Sequence, residues 1–84
     1  MKQVMYFTAD WCNPCKKVRP IVEEMNKDMI DKIQIIDSDS ETDLVKHFEI
    51  RSIPTFILVE DGTEINRITG AQTRENLEKF ISNE

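Results

Sequence analysis

Two short apolar runs separated by one long amphipathic stretch constrain this chain most. Val4-Met5-Tyr6-Phe7-Thr8 lacks polar alternation, so it reads as a strand buried on both faces, as in a parallel sheet interior. Ile33-Gln34-Ile35-Ile36-Asp37 is a second strand. Between them Val18, Ile21, Val22, Met25 and Met29 recur at helical spacing, with Lys16, Lys17, Arg19, Glu23, Glu24 and Lys27 on the other side. The pattern predicts a helix from Asn13 to about Met29, with a kink at Pro20. A strand, a helix and a strand of this length imply a right-handed parallel crossover.

The next stretch, Asp37-Ser38-Asp39-Ser40-Glu41-Thr42-Asp43, imitates half of a calcium loop, with acids at alternate positions. Thr42 stands where such a loop needs Gly, and Phe48 where it needs a bidentate Glu. Ser40 followed by Asp43 therefore reads as a helix start. Leu44, Val45 and Phe48 form the inner stripe of that short helix, and His47 is expected to be partly exposed. Thr55-Phe56-Ile57-Leu58-Val59-Glu60 is a third strand, and Asp61-Gly62 signals a hairpin. The returning strand runs from Glu64 to Thr69. Its Ile65 and Ile68 do not share a parity, which implies a twist or bulge. Gly70 ends it, and Thr73 caps a last helix with Leu77, Phe80 and Ile81 inside. The order is β-α-β-α-β-β-α, an α/β fold with a mixed four-stranded sheet flanked by helices.

Eighty-four residues make one small domain, 1–84, with one core. A net charge of −5 argues against nucleic acid, which calls for basic stripes. The longest apolar run, Phe56-Ile57-Leu58-Val59, is too short to span a membrane. Met1-Lys2-Gln3-Val4 enters a strand-like pattern with no signal-peptide core. A reducing cytoplasm is the expected compartment, where two cysteines three apart are more often catalytic than structural.

Those cysteines are the only two in the chain, within Trp11-Cys12-Asn13-Pro14-Cys15. Their spacing puts both sulfurs on one face of a helix's first turn, close enough to join. There the orphan N–H groups and the helix dipole favour a thiolate on the first. Such a thiolate attacks a disulfide, and the second thiol releases the product by closing a new one. No metal is expected, since two Cys and the single His47 fall short of a four-ligand zinc site. Haem attachment needs His where Lys16 stands. Two inert buried thiols are the remaining alternative; Pro14, which sets helix-start geometry between them, argues against it.

Phe7, Ala9, Trp11-Cys12, Pro14-Cys15-Lys16, Pro20, Arg51-Ser52-Ile53-Pro54-Thr55, Asp61-Gly62 and Gly70 span nearly the whole chain. In this order they resemble the thioredoxin family. The family normally opens with one more strand and helix, so the resemblance is to a short, glutaredoxin-sized thioredoxin. It implies that Cys12 is an exposed attacking thiol and Cys15 a shielded resolving thiol, the two forming the redox-active disulfide. Pro54 would be a cis-proline facing them, leaving the Ile53 backbone free for an extended substrate. Trp11, Ile53, Pro54, Gly70 and Ala71 would line an apolar patch around Cys12, with Asn13 and Pro14 also at the substrate. Three residues depart from the family pattern. Asn13 replaces the usual Gly, Thr8 stands where an aromatic is common, and Tyr6 stands where a buried Asp usually helps deprotonate the resolving thiol.

The implied activity is that of a cytoplasmic protein disulfide reductase with no bound cofactor beyond its own disulfide. Electrons would come from NADPH through a flavin-dependent thioredoxin reductase. Partners would be disulfide-containing proteins, with ribonucleotide reductase or a peroxidase among the acceptors; a monomer is expected. One rival is a glutathione-dependent glutaredoxin-like enzyme, favoured by length but disfavoured by Trp11 and Ile53-Pro54-Thr55. The other is a non-catalytic adaptor of the same fold.

Overall fold

The computed structural model describes residues 2–29 and 32–82; Met1, which the sequence places at the strand-like opening, lies outside them. The elements are β1 (Lys2–Thr8), α1 (Asn13–Asp28), β2 (Gln34–Asp37), α2 (Thr42–His47), β3 (Thr55–Glu60), β4 (Thr63–Thr69) and α3 (Arg74–Ser82). The order agrees with the sequence reading. The strands lie as β2-β1-β3-β4. β1 pairs in parallel with β2 and antiparallel with β3, which pairs antiparallel with β4. Central position explains why β1 and β3 carry apolar side chains toward both faces.

Each face has its own apolar cluster. On one, Val4 and Tyr6 of β1 and Phe56 and Leu58 of β3 pack with Val18, Val22 and Met25 of α1 and Leu77 and Phe80 of α3. On the other, Phe7, Ile36, Ile57 and Val59 pack with Phe48, Leu44 and Val45 around α2. Strand alternation distributes these residues without exception. α1 continues through Pro20, which lies on its exposed side. The Thr73 hydroxyl accepts from Asn76 N–H at 3.1 Å, the expected cap of α3.

Ser40 does not start α2. The N-cap is Glu41, with no side-chain capping bond. Ser40 Oγ instead turns back to Asp37 Oδ2 at 3.3 Å, while Asp37 Oδ1 accepts from Asp39 N–H at 2.9 Å. An Asx-type turn at the end of β2 thus takes the polar side chains that the sequence assigned to a cap. α2 closes with Ile50 N–H on the Val45 carbonyl and Glu49 N–H on the Lys46 carbonyl, at 2.9 and 3.2 Å. Glu49 sits at φ 52° there, a Schellman ending that sends the chain back toward Pro54.

The parity conflict in β4 is a bulge. Leu58 pairs with Asn66 but Val59 pairs with Glu64, so Ile65 is the extra residue, left exposed. Asp61 and Gly62 have φ of 51° and 84°, the two left-handed positions that a tight hairpin turn requires. An added Cβ at Gly62 would meet nothing within 4 Å, so its reason is conformational rather than steric crowding.

Candidate active site

Cys12 is the N-cap of α1, with an extended backbone, and Pro14 occupies the first turn. Cys12 Sγ accepts from Cys15 N–H at 3.2 Å. An N-cap side chain ordinarily satisfies an orphan donor with oxygen; here sulfur takes that place. The two cysteines are joined as a disulfide with Cα atoms 5.2 Å apart. When the bond opens, a negative charge on Cys12 faces the same N–H and the positive end of a 16-residue helix. The local chain therefore favours the thiolate on the first cysteine.

The expected exposure of Cys12 is corrected by the structure: Cys12 is 3% exposed and Cys15 2%. Ala9 and Ile53 pack against the disulfide and cover it. A substrate must reach the sulfur along a narrow front rather than meet a projecting thiol.

That front is built by the far end of the sheet. The Ile53–Pro54 bond is cis, and Cys12 Sγ lies 3.8 Å from the Ile53 carbonyl oxygen. Thr55 Oγ1 donates to the Ser52 carbonyl at 2.6 Å, tightening the turn into β3. Gly70 N–H donates to the Pro54 carbonyl at 2.8 Å, which brings the end of β4 alongside. Gly70 has φ 89°, a conformation that side-chain-bearing residues rarely adopt. Trp11, Cys12, Ile53, Pro54 and Gly70 are thus assembled from three segments. Ala71 follows Gly70 on the surface, and Asn13 and Pro14 are exposed on the first turn of α1.

Trp11 is 66% exposed, yet its indole is fixed: Nε1 donates to Asp39 Oδ2 at 2.9 Å. In the sequence Asp39 stands out only as a member of the acidic run before α2. The tight turn around Asp37 aims it at Trp11, a link across the fold that no local motif marks. Trp11, Asp39, Val45, Arg51 and Ile53 line one groove of about 480 Å³ beside the disulfide.

Beneath the disulfide, Tyr6 is fully buried and stacks on Phe56 at 4.7 Å and 8°. Its hydroxyl donates to the Cys15 carbonyl at 3.4 Å, a long bond. Burial raises the Tyr6 pKa above its ordinary value; the neighbouring Thr8 hydroxyl works against that rise. Tyr6 consequently stays a neutral phenol and cannot serve as the base that a carboxylate would be. Thr8 is 2% exposed, and its Oγ1 has no protein hydrogen-bond partner of proper geometry.

His47 is exposed and sets its ring edge-on to Phe48. Among the described residues, no group of three or more His, Cys, Asp or Glu is arranged to hold a metal ion. Nor is any helix of these residues long and apolar enough to cross a membrane.

This architecture recurs in known proteins. The thioredoxin family profile matches residues 1–83. Thioredoxin of Staphylococcus aureus is 36% identical over 81 residues, covering 94% of this chain and 78% of the relative. That of Staphylococcus saprophyticus is 39% identical over 77 residues, covering 89% and 74%. Among solved structures, Fasciola hepatica thioredoxin superposes with a TM-score of 0.88 at 29% identity, covering 98% of this chain and 79% of that one. Mitochondrial thioredoxin 3 of Saccharomyces cerevisiae, in its oxidised form, gives 0.84 at 36% identity, covering 99% and 78%.

Proposed function

Since this chain belongs to the thioredoxin family and is thereby a thiol–disulfide oxidoreductase, we propose that its reaction is the reduction of protein disulfides. The carrying observation is Cys12 Sγ at the N-cap of α1, receiving the Cys15 N–H and lying against the Ile53 carbonyl. Cys12, as thiolate, attacks one sulfur of a substrate disulfide. The new Cys12–substrate bond forms as the substrate's second sulfur departs. Cys15 then attacks Cys12 Sγ, the mixed disulfide breaks, and both substrate sulfurs leave reduced. Two electrons have moved from the dithiol to the substrate.

In this reading an extended substrate segment lies across Trp11, Ile53, Gly70 and Ala71, with the fully buried Pro54 shaping the turn beneath it, and passes the exposed edge of Asn13 and Pro14. Fixing Trp11 on Asp39 lowers the ordering cost of that platform before substrate arrives. Regeneration is assigned, from the family, to a flavin-dependent thioredoxin reductase using NADPH. The cytoplasm is the matching compartment, and ribonucleotide reductase or a peroxidase is the matching type of acceptor.

Insulin reduction tests the proposal. Reduced protein supplied with dithiothreitol should precipitate insulin chains, and NADPH with a flavoprotein reductase should replace dithiothreitol. Turnover with glutathione alone as donor would instead assign the glutaredoxin-like reaction. Binding of a partner that is indifferent to replacement of both cysteines by serine, without insulin reduction, would assign an adaptor.

A further inference from the structure

The resolving step needs Cys15 to lose a proton inside the protein, and the usual carboxylate is absent because Tyr6 fills its place. Tyr6 is ruled out as the acceptor: it is buried, and its hydroxyl is turned onto the Cys15 carbonyl. Neighbouring side chains offer another route. Thr8 follows Tyr6 by two residues on β1, so both project from the same face, beneath α1. Thr8 Oγ1 is buried and makes no protein hydrogen bond of good geometry beyond its weak approach to the Tyr6 hydroxyl, a costly state that hydration would relieve. Thr8 also lines a cleft of about 240 Å³ together with Ala9, Asp10, Cys15, Lys16 and Arg19. This cleft shares no lining residue with the Trp11 groove. It is large enough for ordered water, and Thr8, Asp10, Lys16 and Arg19 bring polar groups to a largely apolar lining.

We propose that Thr8 and this cleft form the proton exit of Cys15: a water held by the Thr8 hydroxyl takes the Cys15 proton during resolution and passes it to solvent. The step balances. The S–H bond of Cys15 breaks and its proton leaves on water. The Cys15 thiolate then attacks Cys12 Sγ, the mixed disulfide opens, and the departing substrate thiolate recovers a proton from solvent. Thr8 is a positioning residue in this scheme, because it acts on water and not on sulfur.

Lys16 and Arg19 of α1 line the same cleft as Cys15, and Arg19 also lies 3.7 Å from Glu23. Asp10, from the loop before α1, is 93% exposed at its side chain and lies 3.8 Å from Arg19, at the mouth. Glu23 of α1 acts on Tyr6 from one turn beyond Arg19. From β2, Asp37 is in register with Thr8, but its two carboxylate oxygens are taken by Asp39 N–H and Ser40 Oγ. None of these carboxylates is buried against Cys15, which leaves the hydrated hydroxyl as the acceptor's anchor.

The inference rests on Cys15 being the resolving thiol of the proposed reductase, and one experiment separates the two. Reduced protein is mixed in single turnover with an aromatic disulfide that releases one coloured thiolate on attack and a second on resolution. Thr8→Val keeps the shape and removes the hydroxyl. Its first phase should match the parent, while its second slows by about tenfold, less than a lost general base because bulk water still enters. The pH midpoint of the second phase should move upward. Thr8→Ser, which keeps the hydroxyl, should restore both rate and midpoint. A second phase unchanged in Thr8→Val overturns the proton exit alone. So does a Thr8→Ser protein as slow as Thr8→Val, since volume rather than hydroxyl would then matter. Absence of the first phase in the parent would overturn the reductase reading and this inference with it.

Discussion

The two faces of β1 are built from the same strand and differ in kind. Toward α2 it presents Met5 and Phe7, which meet Ile36, Ile57, Val59 and the edge of Phe48 at 6.2 Å. The side chains that β1 contributes to that face are all apolar. Toward α1 it presents Val4, Tyr6 and Thr8, a row that becomes steadily more polar as it approaches the disulfide. Buried hydroxyls cost stability unless they are bonded, and β1 itself carries them only on its α1 side, as Tyr6 and Thr8. A strand that reads as uniformly buried is therefore divided by its pleat into a structural face and a reacting face.

The largest loss is expected at the disulfide. Cys12→Ser should abolish insulin reduction while the fold is retained, and Cys15→Ser should trap substrates as mixed disulfides through Cys12. Equal turnover by Cys12→Ser and the parent would remove the chemistry from the α1 side altogether. Faster alkylation of Cys15 than of Cys12 at neutral pH would reverse their roles.

On the other face, Phe7→Ala should cost about 3–5 kcal/mol in urea unfolding, the range for a fully buried aromatic. Its activity per folded molecule at low temperature should stay near that of the parent. A variant that stays folded yet loses activity would show that the α2 face also shapes the site.

Tyr6 tests the border between the two. Tyr6→Phe should keep most reductase activity and lose at most about 1 kcal/mol, since a long hydrogen bond to Cys15 and a weak approach to Thr8 go. Tyr6→Asp should lower the melting temperature at neutral pH. Burial raises the pKa of a folded-state carboxyl, so this penalty should grow as pH rises through that value and fade in acid. A hundredfold activity loss in well-folded Tyr6→Phe would make the phenol part of the reaction.

The smallest effect is expected at Glu64. Arg67 Nε and Nη2 donate to its two oxygens, both at 2.6 Å, and Nη2 also donates to the Phe48 carbonyl, tying β4 to the end of α2. The hydrogen bonds from Arg67 hold the Glu64 pKa below the ordinary carboxylate value. The folded-state pKa is depressed, so the stabilisation is present above the unfolded carboxylate pKa and is lost as pH falls through the folded one. The pair is about a third exposed, which screens it. Glu64→Gln should cost about 0.2–1 kcal/mol at neutral pH. The difference from the parent should vanish in strong acid; a difference that persists there would assign the effect to packing.

Local physics made much of this legible in the chain alone. Helical and strand periods depend on neighbours a few residues away, so the element order and α1 from Asn13 follow directly. Asp61-Gly62 declares its turn because only certain residues tolerate positive φ. Cys12 and Cys15 declare their pairing because one helical turn brings them together. Even the bulge in β4 was audible as the mismatched parity of Ile65 and Ile68, although only pairing with β3 names Ile65 as the extra residue.

Tertiary structure decided the remainder, because it depends on atoms far apart in sequence. The burial of Cys12 comes from Ile53, 41 residues on, and the posture of Trp11 from Asp39, 28 residues on. Ser40 lost its capping role to a turn set by the end of β2. Thr8 reads in sequence as one more position of a buried strand. Its poorly bonded hydroxyl and its cleft exist only once α1 is laid over β1, because a hydrogen-bond deficit is a property of a packed environment and not of a residue.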